Sequence, residues 1–536
     1  MAIKNFNSTL KNYPVTHLPT IALLVGTISF WLELYFIRLP FGHTSWLAWG
    51  VLIFCSLILL FNYRRNWDLK HWEILIAGEA KLVKIILAMA GFLGLAYLAV
   101  GLYASLLPPH LIQESDALMY HIMLPRQHLL LHSFAHISWS VPDLFLLPLD
   151  YALSPFELST LWPNKLIQYV FFIASLGCVF KLVYLLSGQS FRRACLGVLA
   201  VMACHVISIQ VGLAMLDLVM LYCFLAAIHS FLERRWILAS VEFAFFFWSK
   251  SFICLQMAVI GIILAVIVWL AFKKDFSINE LQIPDLRARR TMMITFIVIS
   301  SGIALPHLIK SFYYTGTPLY PFGVGLASPL VTYTSDHWHA ILQRAGECLA
   351  EKDNYGHGRS FVAFIKHFWL ISVPEQGVNN TFDYPVGLIY LLMLFPFVLQ
   401  VGKSLLAKKL PVLSMMVVIW WITWWFGSQQ SRFLIVPICL LVILSISSFP
   451  RISRVLVLLI VMALGVEVIS LANAHRHDWR KPFVEVLREK DKKLLGLKPL
   501  VGANVIDLDF PDAAFSPFPV SVSHSDLAFV IPTQGK

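Results

Sequence analysis

Apolar runs recur along the whole chain, many of them close to the length of about 20 residues that lets an α-helix cross a bilayer. They predict spans at 19–37, 45–61, 83–107, 165–186, 193–212, 214–232, 236–250, 252–272, 291–314, 384–401, 411–427, 432–449 and 454–472. The expected fold is therefore all-α and integral to a membrane, with about thirteen transmembrane helices. No small-residue cleavage site follows the first run, so it is expected to be an uncleaved anchor.

Two stretches between the runs are long enough to build a site, 108–164 and 315–383. Both are rich in Trp, Phe, Leu and Pro, which predicts interfacial helices and turns packed on the membrane surface. From Glu114 to Leu124 the pattern fits a short amphipathic helix, interrupted by Pro125. The chain divides into an N-terminal helix pair (1–82), a multi-pass domain (83–472) and a C-terminal extension (473–536). In the extension, Phe483, Val484, Leu487 and Leu494 mark a short amphipathic helix before Pro-punctuated extended chain, an accessory without catalytic groups.

Composition agrees with this pattern. Of 536 residues, 58% are hydrophobic and 13% charged, which excludes a soluble protein of ordinary surface polarity. The net charge of +11 comes from short clusters of Lys and Arg between apolar runs, with no aromatic-studded basic face, so nucleic acid is not the expected partner. Those clusters alternate along the chain. Arg64–Arg65, Arg192–Arg193, Arg234–Arg235, Lys273–Lys274, Arg287 to Arg290 and Lys408–Lys409 all fall on one side. The positive-inside rule makes that side cytoplasmic, puts the N-terminus there, and places both long loops outside. The basic tail after residue 472 runs against the rule. Seven of eight Cys lie within apolar runs and only Cys348 in a loop, so no disulfide or zinc framework is expected.

Ionisable groups at a membrane edge are costly and are candidates for function. Glu114, Asp116, His121 and Arg126 lie in the first long loop, and Tyr120 shares a helical face with Asp116. Asp217, Lys250, Lys310 and Arg432 fall at the ends of spans on the same outer side. Such a set suits a lipid phosphate and a hydroxyl in need of a base, since Lys and Arg match phosphate oxygens and a carboxylate accepts a proton. The structural alternative is that Asp217 and Lys250 pair with each other. Glu33, Glu242 and Glu467 have no evident partner and are expected to be structural. His337, His339, His357 and His367 lack metal-ligand spacing and read as surface histidines. Trp420, Trp421, Trp424 and Trp425 read as an interfacial belt with helix packing.

Five segments in order carry a resemblance. Glu114-Ser-Asp-Ala-Leu-Met-Tyr-His121 with Leu124-Pro-Arg126 resembles the first outer loop of GT-C superfamily glycosyltransferases, bacterial relatives of glycosyltransferase family 39 such as the protein O-mannosyltransferases and aminoarabinose transferases. Asp217 resembles the acidic residue that starts a later span in that family. Trp248-Ser-Lys250-Ser-Phe, Lys310 to Phe322 and Gln430-Ser-Arg432-Phe-Leu-Ile-Val-Pro437 resemble three further motifs, over roughly residues 83 to 450. Thr317, Phe252 and Phe433 depart from the family pattern.

The resemblance implies a GT-C fold with juxtamembrane helices in the outer loops. It also implies a polyprenyl-phosphate sugar as donor and a lipid, glycan or protein acceptor, at the periplasmic face of a bacterial inner membrane. Asp116 would act as general base with Glu114 as helper, and Lys250 and Arg432, with Lys310, would bind the donor phosphate. A divalent ion, Mg or Mn, bridging Glu114 and Asp116 is compatible with this chemistry and not required by it. The rivals are an O-antigen ligase or polymerase and a multi-pass lipid or solute transporter. The early Glu114-x-Asp116 loop argues against the first rival, and the lack of two related halves argues against the second.

Overall fold

The computed structural model describes residues 17–35, 48–51, 53–54, 81–107, 120–137, 141–157, 165–280, 284–350, 355–373, 382–449, 453–474, 506–508 and 520–522. Most of it is helical. In lipid each backbone polar group must be satisfied within its own segment, and the apolar runs answer this by closing into helices. These are α1 (Leu18–Tyr35), α2 (Lys81–Leu106), α3 (Met123–Leu131), α4 (Pro148–Glu157), α5 (Leu166–Leu186) and α6 (Phe191–Met202). There follow α7 (Asp217–Leu232), α8 (Trp236–Phe247), α9 (Ser251–Lys273), α10 (Leu286–Ile303) and α11 (Leu305–Thr315). The chain goes on through α12 (Ser335–Ala350), α13 (Phe361–Leu370), α14 (Leu388–Leu406), α15 (Val412–Phe426), α16 (Ile435–Ser448) and α17 (Arg454–Ala474).

Among the described residues seven helices are long and apolar enough to cross a membrane, and eight if the pair α10 and α11 is one span bent by 54°. This is fewer than thirteen. Part of the shortfall is length: the expected span 193–212 becomes the 12-residue α6, a single helical turn at His205–Ser208 and irregular turns, and α8 also has 12 residues. At 1.5 Å per residue such a helix reaches about 18 Å, against a hydrocarbon core of about 30 Å. The second expected span lies mostly outside the described residues. The run 291–314 is broken at Ala304, just before Pro306, which is tolerated in the first turn of α11 because its missing N–H has no intrahelical acceptor there.

The bundle is built around α7 and α16. Every residue of α7 from Asp217 to Ser230 is buried, and α16 is buried from Ile435 to Ser447. Helix α7 lies between α5 and α8, while α16 is packed by α5, α6, α14 and α15. Outward faces are apolar: on α9 Leu255, Ile262, Val266 and Trp269 are exposed, and on α17 Val455, Met462, Val466 and Ile469. Exposed apolar surface on this scale is what a lipid solvent accepts and water does not.

Helix α1 is not an appendage. Leu18, Ala22 and Leu23 join the main core, and Gly26 sits so close to α4 that a Cβ there would stand 1.9 Å from the Ala152 carbonyl oxygen. Every residue of α4 is buried. The first long loop therefore enters the protein interior at α4, which corrects the expectation that it lies on the membrane surface. Pro125 does not interrupt a helix either. It occupies the first turn of α3, where it costs no hydrogen bond.

Two of the acids with no evident partner in the sequence, Glu242 and Glu467, are held by structural contacts. Glu242 Oε1 lies 2.8 Å from His17 Nδ1 and accepts from the Thr20 hydroxyl at 2.9 Å, while its Oε2 accepts from the Ser230 hydroxyl at 2.7 Å. Glu467 Oε2 meets His205 Nδ1 at 2.8 Å. These bonds pin α1 to α7 and α8, and α17 to the turn after α6. The tryptophans of α15 are core residues and not a belt: Trp420 and Trp424 are almost fully buried, Trp421 Nε1 donates to His367 Nε2 at 2.7 Å, and Trp424 Nε1 donates to the Gln430 carbonyl at 2.7 Å. His367 is accordingly buried, where the sequence suggested a surface group.

At one end of the bundle a parallel strand pair, β1 (Ser277–Asn279) and β2 (Lys409–Pro411), ties two loops together. Beside it Glu280 accepts from the Leu413 and Ser414 N–H groups at 2.9 and 3.2 Å, closing the start of α15. Lys273–Lys274 shortly precede β1, and Lys408–Lys409 stand at the start of β2. The two long loops meet through Ser251, which joins Leu146 to Tyr320, and together make up the loop end.

Candidate functional site

The loop end is organised by short segments rather than by spans. After α3 closes on His132 in the left-handed conformation, the chain returns through a 3-10 turn, Val141–Leu144, into α4. That turn carries Asp143, the centre of a buried polar cluster. Asp143 Oδ1 accepts from Lys310 Nζ at 2.7 Å and meets His128 Nε2 at 2.7 Å; Oδ2 accepts from the Ile137 N–H at 2.8 Å and meets His136 Nδ1 at 3.1 Å. The ammonium of Lys310 also stands 4.1 Å from the Phe134 ring centre. Burial pushes the Asp143 carboxyl up, but Lys310 and the two histidines outweigh it and hold it well below the usual carboxylate range. Burial lowers the His128 imidazole against the pull of Asp143.

A second pair lies seven positions away on each segment, His121 before His128 and Asp150 after Asp143. His121 Nδ1 is 2.7 Å from Asp150 Oδ1, both side chains being almost wholly buried. Burial raises the Asp150 carboxyl, opposed by His121 and then by the charge of Lys250. Among the described residues His121 Nε2 and Asp150 Oδ2 have no hydrogen-bond partner, and neither does either oxygen of Asp217. An imidazole held by a carboxylate through one nitrogen has the other free to take or give a proton.

Lys250 caps the start of α9 and is half-buried. Its neighbour Ser251 joins three segments: the Leu146 N–H donates to its Oγ at 3.3 Å, and that hydroxyl donates to the Tyr320 carbonyl at 3.0 Å. The first loop, the start of α9 and the segment after α11 thus meet at one residue. Arg432 sits on the 3-10 turn Ser431–Leu434 that opens α16, where its Nε donates to Gln430 Oε1 at 2.9 Å and it faces Asp383 at 3.4 Å. The rings of Phe252 and Phe433, centres 5.3 Å apart, bind the Lys250 and Arg432 turns to each other.

Of the residues singled out by sequence, His121, Lys250, Lys310 and Arg432 belong to this connected loop end. The Tyr120 ring lies 4.3 Å from that of His121, tilted by 55°, and Arg126 is buried in α3. Asp217 opens α7 and is not hydrogen-bonded to Lys250. Glu114 and Asp116 lie outside the described residues. Among those described, no group of three or more His, Cys, Asp or Glu side chains is placed to hold a metal ion. Sequence reasoning missed Asp143, Asp150, His128 and His136. The signal was present: Asp143 and Asp150 are lone acids in the apolar stretch Val141 to Leu153, and the rule that singled out Asp217 applies to them equally.

No family model, curated protein or solved structure matches this chain.

Proposed function

We propose that this multi-pass membrane protein is a glycosyltransferase that moves a sugar from a polyprenyl-phosphate carrier to an acceptor hydroxyl. Asp116 accepts the hydroxyl proton as the acceptor oxygen bonds to the anomeric carbon; the carbon–phosphate oxygen bond breaks, and the charge left on the lipid phosphate falls to Lys250 and Arg432. In this reading α6, α7, α8 and α15 join the eight longer candidates as spans, α6 and α8 lengthened by the turns that follow them, and the run at 45–61 makes the thirteenth, with the N-terminus cytoplasmic and the loop end outside.

The observation that carries the reading is the junction at Ser251, which draws the first loop, the Lys250 turn and the segment after α11 together, with Arg432 beside it through Phe252 and Phe433. Lys310 takes a different part from the one its sequence suggested. With Asp143 at 2.7 Å it is already neutralised, so its role is to position the first loop. The test is binding of a polyprenyl phosphate to Lys250→Ala and Arg432→Ala. Each should weaken it about ten- to a hundredfold, the value of a charge-assisted hydrogen bond of about 1.5–3 kcal/mol. Unchanged affinity in both variants would reject the phosphate site.

The 54° break between α10 and α11 favours a second reading, since interrupted helices also line transporter sites. Translocation of the lipid-linked sugar without a covalent product, in reconstituted vesicles, would establish it in place of transfer.

A further inference from the structure

Beside the Asp143–Lys310 pair, a cleft of about 550 Å³ opens between the end of α1, the segment after α3 and the helix α11. This is within the range of small-molecule sites, about 300–1,000 Å³. Its lining is of a particular kind. Tyr35, Phe134, Tyr313 and Tyr314 supply aromatic faces, His132 and Ser133 supply polar groups, and Lys310 lies at its floor. Tyr35 stacks on Trp31 at 5.9 Å with the rings nearly parallel, and Tyr313 meets Tyr314 edge to face at 5.1 Å, so the faces are held by neighbouring rings.

The charge of the cleft decides what it suits. Lys310 is the cation at the floor, and its ammonium is engaged by Asp143 at 2.7 Å and by the Phe134 ring at 4.1 Å. An anion entering here would meet a carboxylate directly behind the lysine, whereas at Lys250 it meets a half-buried cation at the mouth of a helix. A neutral polyol suits the cleft: the C–H face of a pyranose lies on an aromatic ring, and its hydroxyls exchange hydrogen bonds with imidazole, phenol and serine groups. The rim also has a lipid side, since Leu305 and Ile309 of α11 line the cleft and are exposed at 47% and 57%.

We propose that this cleft is a neutral-saccharide subsite, separate from the phosphate cations, which holds the sugar portion of the acceptor. The proposal deepens the transferase reading and rests on it. Tyr35 and Tyr313 are the residues to change, because both line the cleft and are exposed at 59% and 43%, so their loss disturbs little packing.

The experiment is saturation-transfer NMR on the full chain in nanodiscs, with methyl glycosides of neutral hexoses and N-acetylhexosamines as probes and inorganic phosphate as competitor. A glycoside should bind the parent protein, resist phosphate, survive in Lys250→Ala, and lose affinity about tenfold or more in Tyr35→Ala/Tyr313→Ala. Binding should persist when the protein is loaded with polyprenyl phosphate, as an acceptor site requires. Competition by that lipid or by phosphate would place the sugar at the donor site and overturn the proposal. So would a parent that binds polyprenyl phosphate but no glycoside, which leaves the transferase reading standing. A parent that binds neither ligand would reject both.

Discussion

Consider the replacement of Asp143 by Asn. The side chain keeps its shape and one acceptor oxygen, but Lys310, 4% exposed, loses the anion 2.7 Å from its ammonium. Removing one member of a buried ion pair costs about 3–5 kcal/mol, because the remaining charge stays desolvated. Lys310→Met should cost a similar amount by leaving the buried Asp143 without its lysine, with His128 and His136 as its remaining side-chain partners. Combining them removes both charges, so the double variant should be at least about 1.5 kcal/mol more stable than the sum of the singles predicts. Equilibrium unfolding in mixed micelles measures all four proteins. The folded Asp143 carboxyl is held below its unfolded value near 3.9, so the pair's contribution is full above that value and lost as pH falls through the lower, folded one. The contribution of this pair is therefore constant from pH 7 to about 5. Strict additivity of the two single effects would refute the reasoning.

Three other predictions address other levels. Gly26→Val should drive α1 away from the Ala152 carbonyl and destabilise the protein by about 1–3 kcal/mol, read as a lower unfolding midpoint; a neutral effect would mean that α1 and α4 are not in contact. Asp116→Asn should leave folding and lipid binding intact and lower turnover at least about a hundredfold, since Asn caps a helix about as well as Asp but does not accept the proton. Turnover near the parent rate would move the base to another group, with Asp217 and the His121–Asp150 pair next in line. A reporter active only outside the cytoplasm should work when fused near Tyr333 and fail near Asn279, and the reverse pattern would turn the molecule over.

Much of the fold could be read from the apolar runs, because hydropathy marks a helix wherever lipid must be its solvent. The bounds of α2, α5, α9 and α17 fall close to the runs that announce them. Depth within the bundle was less legible. An apolar Trp cluster reads the same whether it faces headgroups or a core, and only the partners His367 and Gln430 place α15 inside. Partnership across long distances was hidden as well: nothing local to Glu242 announces His17. At the site, lysine and arginine at span ends stood out against apolar surroundings. Asp143 and Asp150 did not, because the loop that holds them was expected on the surface, where acids need no explanation. Their burial follows from α4 entering the interior, a tertiary fact.

The close fit of α1 has a consequence for how the chain is made. The residues that satisfy its polar side are encoded far downstream: Tyr222 follows Thr20 by 202 positions and Glu242 follows His17 by 225. At 5–20 residues per second the first helix leaves the ribosome roughly 10–45 s before these partners exist. During that interval the helix carries His17 and Thr20 without the carboxylate and phenol that later satisfy them. Biogenesis of this protein therefore needs either a sheltering partner for the nascent helix or its late capture by the finished bundle.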